Sequence, residues 1–350
     1  MSSPDATHSA VESLETDRDR KAEHIRLALD HRMQVPAHFF DRYRFEHEAL
    51  PELDMAEVDL STEFLGKALA APLLISCMTG GTEEAARINR HLAEAAERTG
   101  IALGIGSQRK AIEDPSLAAT FQVRKYAPTA PVLANLGAVQ LNYGFSIEQC
   151  RAAIDMIGAD ALVLHLNPLQ EAIQPEGQCN FSNLIDKIGE VVEGLPVPVI
   201  VKEVGSGISA ATARRLLSVG VEIVDCAGVG GTSWARIEAS RADDPDIGEV
   251  FADWGIPTPT NIRELKRVEG ILVIGSGGVR NGLDVAKAIS LGADLVGMAQ
   301  PFLKVAIESP VAVVERVERT RRELRIAMFC AGAKTIEELS MVPLIRKIED

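Results

Sequence analysis

Three short stretches of this chain carry residues able to hold or move charge. The first is His165-Leu166-Asn167 with Gln170 and Glu171, a dense polar group closing an apolar run. Glu171 suits Mg²⁺, which prefers a carboxylate, waters and substrate phosphate oxygens. Asn167 and Gln170 can hydrogen-bond a ligand; loop capping is the plainer reading of any one of them alone. The second is Lys202, which ends the run Val199–Lys202. A cation buried there needs an anionic or electron-rich partner. A flavin N1–C2=O edge, a Schiff-base carbonyl and a neighbouring carboxylate such as Glu203 are equal alternatives. The third is Gly275-Ser276-Gly277-Gly278-Val279-Arg280, just before a helical pattern at Gly282–Ser290. Backbone amides of such a loop and the helix start cradle a phosphate; tight turning is the weaker alternative.

Two further groups supply cations. Arg20-Lys21-x-x-His24 opens a helical pattern, where positive charge opposes the macrodipole unless an anion offsets it. A solvated basic face is the ordinary alternative. Arg109, beside Ser107, offers a second cationic point for a diphosphate.

The elements that must position these residues follow a rhythm. Apolar runs at Pro72–Cys77, Ile101–Ile105, Val132–Leu136, Ala161–Leu166, Val199–Lys202, Val221–Asp225, Ile271–Gly275 and Asp294–Met298 are each followed by a loop and a helical stretch. Continuous apolarity suits strands covered on both faces. The helices are expected at Glu83–Thr99, Ser146–Ile157, Ser182–Glu193, Ser209–Ser218 and Gly282–Ser290, with Ser146, Ser182 and Ser209 as caps. This pattern predicts a (β/α)₈ TIM barrel with an N-terminal extension, reactive groups lying past the strand ends. A doubly wound sheet would carry G-x-G-x-x-G after the first strand, and MTGGTEE does not match it. The expected division is a disordered acidic tail at 1–18, an extension packing on the barrel at 19–70, and the barrel with C-terminal helices at 71–350. Residues 233–261 are expected to form a lid or contact loop.

Composition narrows the function. A net charge of −14 argues against a nucleic-acid footprint. The 5 cysteines are odd in number and form no C-x-x-C pair, so a disulfide framework or zinc site is not expected. Reduced thiols fit a cytoplasmic protein. No apolar run reaches the roughly 18 residues of a membrane span, and the N-terminus lacks a secretory h-region.

Taken together, RKAEHI (20–25), MTGG (78–81), GSQR (106–109), HLNPLQE (165–171), VKEVGSGIS (201–209), GVGGTSWARIE (228–238), GSGGVRNGLD (275–284), GMAQPFL (297–303) and MFCAGAKTIEEL (328–339) resemble type 2, FMN-dependent isopentenyl-diphosphate isomerase. The resemblance runs from about residue 19 onward; Cys77 departs from it, standing where a small alanine-like residue is expected. It implies FMN lined by Met78, Thr79, Gly80, Ser107, Asn135, Lys202 and Thr232, its phosphate held by Gly277, Gly278, Arg280, Ala299 and Gln300. It implies a substrate diphosphate on Arg20, Lys21, Ser107, Arg109, His165 and Asn167, with Gln170 near the reacting carbons and Mg²⁺ on Glu171. Gln170 and His165 are the catalytic candidates, Gln170 orienting and His165 either shuttling a proton or, the favoured alternative, binding the diphosphate. The implied reaction is a 1,3-allylic proton shift between isopentenyl and dimethylallyl diphosphates in isoprenoid biosynthesis. It needs reduced FMN, primed by NADPH. A tetramer or octamer without nucleic-acid or membrane partners is the implied assembly. A 2-hydroxy-acid oxidase would need a late histidine base, yet all 7 histidines lie at or before His165. An IMP-dehydrogenase-like enzyme would need a catalytic Cys in the loop after the sixth strand, and Cys226 comes too early, before GVGGT. A flavin-binding protein without turnover would not need the polar set at Arg20, Arg109, His165 and Glu171.

Overall fold

The computed structural model describes residues 21–347. The expected tail at 1–18 and the diphosphate candidate Arg20 lie outside them. Every apolar run forms a strand: β1 Leu73–Ile75, β2 Ala102–Gly104, β3 Val132–Gly137, β4 Ala161–Leu166, β5 Val199–Glu203, β6 Ile223–Asp225, β7 Leu272–Gly275 and β8 Leu295–Met298. Each pairs in parallel with the next and β8 returns to β1, closing the expected barrel.

The helices are α1 (residues 21–29), α2 Glu83–Thr99, α3 Arg109–Glu113, α4 Ile147–Ile157, α5 Pro168–Ile173, α6 Leu184–Gly194, α7 Ala210–Leu217, α8 Trp234–Ala239, α9 Asp246–Val250, α10 Thr258–Leu265, α11 Gly282–Ser290, α12 Gln300–Ala306, α13 Pro310–Cys330 and α14 Ile336–Met341. Ser146 caps α4 in a capping box with Gln149, and Ser209 caps α7 by accepting from Thr212 N–H. Ser182 does not cap α6. Asn183 precedes that helix in the left-handed region, φ 52°, while the Ser182 N–H donates to Asn180 Oδ1 at 3.1 Å. The expected loop at 233–261 is largely helical, folding as α8, α9 and the start of α10.

Strand alternation sorts the interior into layers. Leu74, Leu133, Val163, Ile200, Ile223 and Ile274 join one apolar cluster inside the barrel, while Leu73, Leu164, Val201 and Val224 pack outward with the helices. The hairpin Thr62–Phe64/Lys67–Leu69 closes the N-terminal end, sending Phe64 and Leu69 into that inner cluster. Outside the plug, Asp160 takes Lys67 Nζ at 2.6 Å, Arg124 Nη2 at 2.8 Å and the Val132 N–H at 2.8 Å.

The N-terminal extension crosses the opposite end. It is stitched to the loop after β6 by Val35 N–H to Gly231 O (2.8 Å) and Ser233 N–H to Met33 O (2.7 Å). Tyr43–Phe45 pairs antiparallel with Leu344–Arg346. Among the described residues no helix is long and apolar enough to cross a membrane.

Candidate active site

Two residues beyond each inward apolar position, every strand must again point inward. Those positions hold Ser76, Asn135, His165, Lys202, Asp225 and Ser276, a polar layer directly above the apolar one. All but Asp225 line a cavity of about 320 Å³ at the C-terminal end of the barrel. Lys21, His24, Ile25 and Ala28 roof it from α1, their spacing placing them on one helical face.

Every expected site residue within the described part of the chain lines this cavity: Met78, Thr79, Gly80, Ser107, Asn135, Lys202, Thr232, Gly277, Gly278, Arg280, Ala299 and Gln300, with Lys21, Arg109, His165, Asn167, Gln170 and Glu171. The two groups approach from different sides. Past β6 and β7 the wall is backbone. Gly277 and Gly278 have φ of 102° and 71°, and a Cβ on them would lie 2.1 Å from Gly228 O and 2.3 Å from Gly230 O. Only glycine lets these two loops touch. Arg280 closes that side, donating to Gly230 O at 3.1 Å and meeting His38 Nδ1 at 2.6 Å; burial lowers its pKa.

The side past β4 is built from side chains. Asn167 Nδ2 donates to Gln170 Oε1 (3.1 Å) and Glu171 Oε1 (3.0 Å), and the Gln178 N–H donates to Glu171 Oε2 at 2.6 Å. Asn167 is buried, yet its Oδ1 has no hydrogen-bond partner; the same holds for Ser76 Oγ. An unmatched acceptor and hydroxyl in the wall are what a bound polar ligand would satisfy.

Below, Lys202 Nζ donates to the backbone oxygen of Glu203 at 2.6 Å. The expected alternative of a carboxylate pair with Glu203 does not form. The Glu203 carboxyl turns back to the N–H groups of Val204, Gly205 and Ser206. Burial raises the pKa of Glu203 and of Asp225, whose Oδ1 accepts from Ser276 Oγ. Burial pushes the Cys77 thiol up to about 11, so it is no nucleophile at neutral pH.

His165 opens onto the cavity but sits deep in the barrel. Burial, and then the Lys202 charge, lower its pKa to about 3. Its Nδ1 lies 2.9 Å from Asn135 Oδ1, which can only accept, so Nδ1 carries the proton and Nε2 is left as an acceptor.

One functional feature escaped the sequence. Glu238 is fully buried and accepts from Gln170 Nε2 at 2.7 Å and Arg241 Nη1 at 2.7 Å, with His24 Nε2 3.2 Å away. Burial alone would raise its pKa, but these bonds outweigh it and the net shift is downward. The buried anion orients Gln170 into the cavity. His24 packs edge-on against Trp234 at 5.3 Å. The only hint was the segment in which Glu238 stands, where a glutamate on a short helix reads as surface.

Among the described residues no three His, Cys, Asp or Glu side chains gather as a metal cage. Glu171 is a single carboxyl at the cavity wall. That fits Mg²⁺, which keeps several waters and shares substrate phosphate oxygens.

Comparison with known proteins gives a consistent result. A family model described as FMN-dependent dehydrogenase matches residues 30–129 and 171–346. An isopentenyl-diphosphate delta-isomerase from Nostoc sp. is 49% identical over 95% of this chain and 97% of its own length. One from Synechococcus sp. is 52% identical over 90% and 92%. A mandelate oxidase variant structure with benzaldehyde superposes with a TM-score of 0.67 at 19% identity, covering 97% of this chain and 99% of that one, a likeness of fold.

Proposed function

This chain belongs to the isopentenyl-diphosphate delta-isomerases, the FMN-dependent type 2 family, and on that premise we propose that it interconverts isopentenyl and dimethylallyl diphosphates using reduced FMN and Mg²⁺. The observation that carries the reading is one cavity with two chemically different walls: a glycine backbone cradle on one side, and Arg109, Asn167 and Glu171 on the other. A flavin phosphate suits the first, because amides can approach it closely where no Cβ intervenes. A magnesium diphosphate suits the second.

When bound, reduced FMN supplies an electron-rich ring beside the C5 olefin. Met78, Thr79, Gly80, Ser107, Asn135, Lys202 and Thr232 would hold its ring and ribityl chain, and Gly277, Gly278, Arg280, Ala299 and Gln300 its phosphate. Lys202 would set positive charge at the barrel axis. Arg109 and Lys21, with Arg20, Ser107 and Asn167, would take the diphosphate, and Glu171 would take its metal. His165, neutral, would offer Nε2 as an acceptor to a water or hydroxyl rather than charge to the diphosphate. Gln170 would face the olefin, its orientation fixed by Glu238. The α1 roof and Trp234 would limit water around a reaction in which an unactivated alkene gains and loses a proton.

The proton shift leaves no net redox change, so NADPH would act only to reduce the flavin. The test is an anaerobic assay of the purified, FMN-loaded protein with isopentenyl diphosphate, Mg²⁺ and reductant in deuterated buffer. Deuterium should enter both diphosphate isomers. A protein that takes up no flavin and leaves the olefin unlabelled would end this reading. A homo-oligomer is part of the proposal and is checked by light scattering.

A further inference from the structure

The loop that follows α5 is moulded around one residue. Glu171 stands in the first turn of that short helix, and the chain returns over it within a few residues. A Cβ on Gly177 would lie 1.8 Å from Glu171 O, so only glycine permits the return. Cys179 Sγ donates to that same carbonyl at 3.3 Å. Between them stands Gln178, half-buried and outside the cavity wall.

Gln178 touches both charged members of the wall. Its N–H donates to Glu171 Oε2 at 2.6 Å, and its Oε1 accepts from Gln140 Nε2 at 2.8 Å and Arg109 Nη1 at 3.4 Å. Arg109 has a competing partner in Glu113, with Nε to Oε1 at 2.8 Å, which draws it toward its own helix. The amide oxygen holds the guanidinium toward the cavity without adding a charge that would repel a diphosphate.

We propose that Gln178 is a positioning residue that fixes the spacing of Arg109 and Glu171, and so sets affinity for the magnesium diphosphate group. This rests on the function proposed above. The diphosphate is remote from the reacting carbons and is gripped alike before and during the proton shift. Loss of the grip therefore raises KM and leaves kcat in place.

The test uses the full-length, FMN-loaded protein. Gln178→Met keeps the bulk and the backbone N–H and removes Oε1. KM for isopentenyl diphosphate should rise about tenfold, as is typical for an outer partner of a metal or charge site. Inorganic pyrophosphate with Mg²⁺, titrated calorimetrically, should weaken by a similar factor, with kcat within twofold and FMN content and Tm unchanged. Unchanged KM and pyrophosphate affinity, or a fall in kcat at constant KM, overturns the proposal. If Gln178→Met fails to hold FMN, Gln178→Asn, which draws the oxygen back by one methylene, serves instead. It should raise KM about threefold, a smaller effect of the same kind, and no rise overturns the proposal. A wild-type protein that binds pyrophosphate through Gln178 yet isomerises nothing would remove the functional reading and leave this one standing.

Discussion

The two ends of the barrel spend their polar groups in opposite ways. At the N-terminal end Phe64 and Leu69 fill the interior, and outside them Asp160 is matched three times over by Lys67, Arg124 and a backbone N–H. At the C-terminal end the strands stop on a polar layer, Asn167 Oδ1 and Ser76 Oγ have no partner, and glycines hold two loops at backbone contact. One end satisfies its own groups; the other leaves them for a ligand. Substitutions at the first should change stability alone, and at the second function before stability.

The largest effect should come from Lys202→Ala. Removing a preorganised charge from the reacting centre should lower kcat/KM about 10³-fold, ~4 kcal/mol. Flavin retention through gel filtration should also fall, and a yellow, fully active variant breaks the contrast. Asp160→Ala should cost about 2–3 kcal/mol in denaturant unfolding, since hydrogen bonds to a charged group are lost together. Its kinetics should match wild type under native conditions; an altered KM would mean the plugged end reaches the site. Glu171→Gln should lose about tenfold activity at limiting Mg²⁺ while keeping FMN, and full activity at low Mg²⁺ refutes the metal role.

The smallest effect is read by pH. The His165 pKa in the folded protein is lowered to about 3, so the unfolded chain binds the proton first. Stability is fully present above the ordinary imidazole value of about 6.5 and drains away as pH falls toward 3. Between pH 7 and 6 the loss should stay below ~1 kcal/mol. Chemical denaturation of wild type and His165→Gln across that range checks it: the variant should lack this part of the slope, and identical slopes would remove His165 as its source.

The strands were legible because both faces of a barrel strand are covered, so each reads as an unbroken apolar run. The helix starts at Ser146 and Ser209 were legible because a hydroxyl must meet a free N–H there. Ser182 misled because Asn183 enters the left-handed region and shifts the start, a backbone choice that composition does not reveal. The cavity-lining residues were found by motif and by their places at strand ends. Glu238 and Gln178 were missed for one reason. Each acts through another residue, and whether a polar side chain at a helix or loop position turns inward depends on packing among elements distant in the chain. The depressed pKa of His165 was likewise invisible, since it arises from depth and from Lys202 on the adjacent strand.

The short ribbon between residues 43–45 and 344–346 has a consequence for biogenesis. As the polypeptide leaves the ribosome, the earlier half of that ribbon must wait for nearly all the rest. The eight barrel strands, the last ending at Met298, are all made before that partner exists. Only the final segment then pins residues 43–45, so the order of synthesis makes this ribbon one of the last pieces to form.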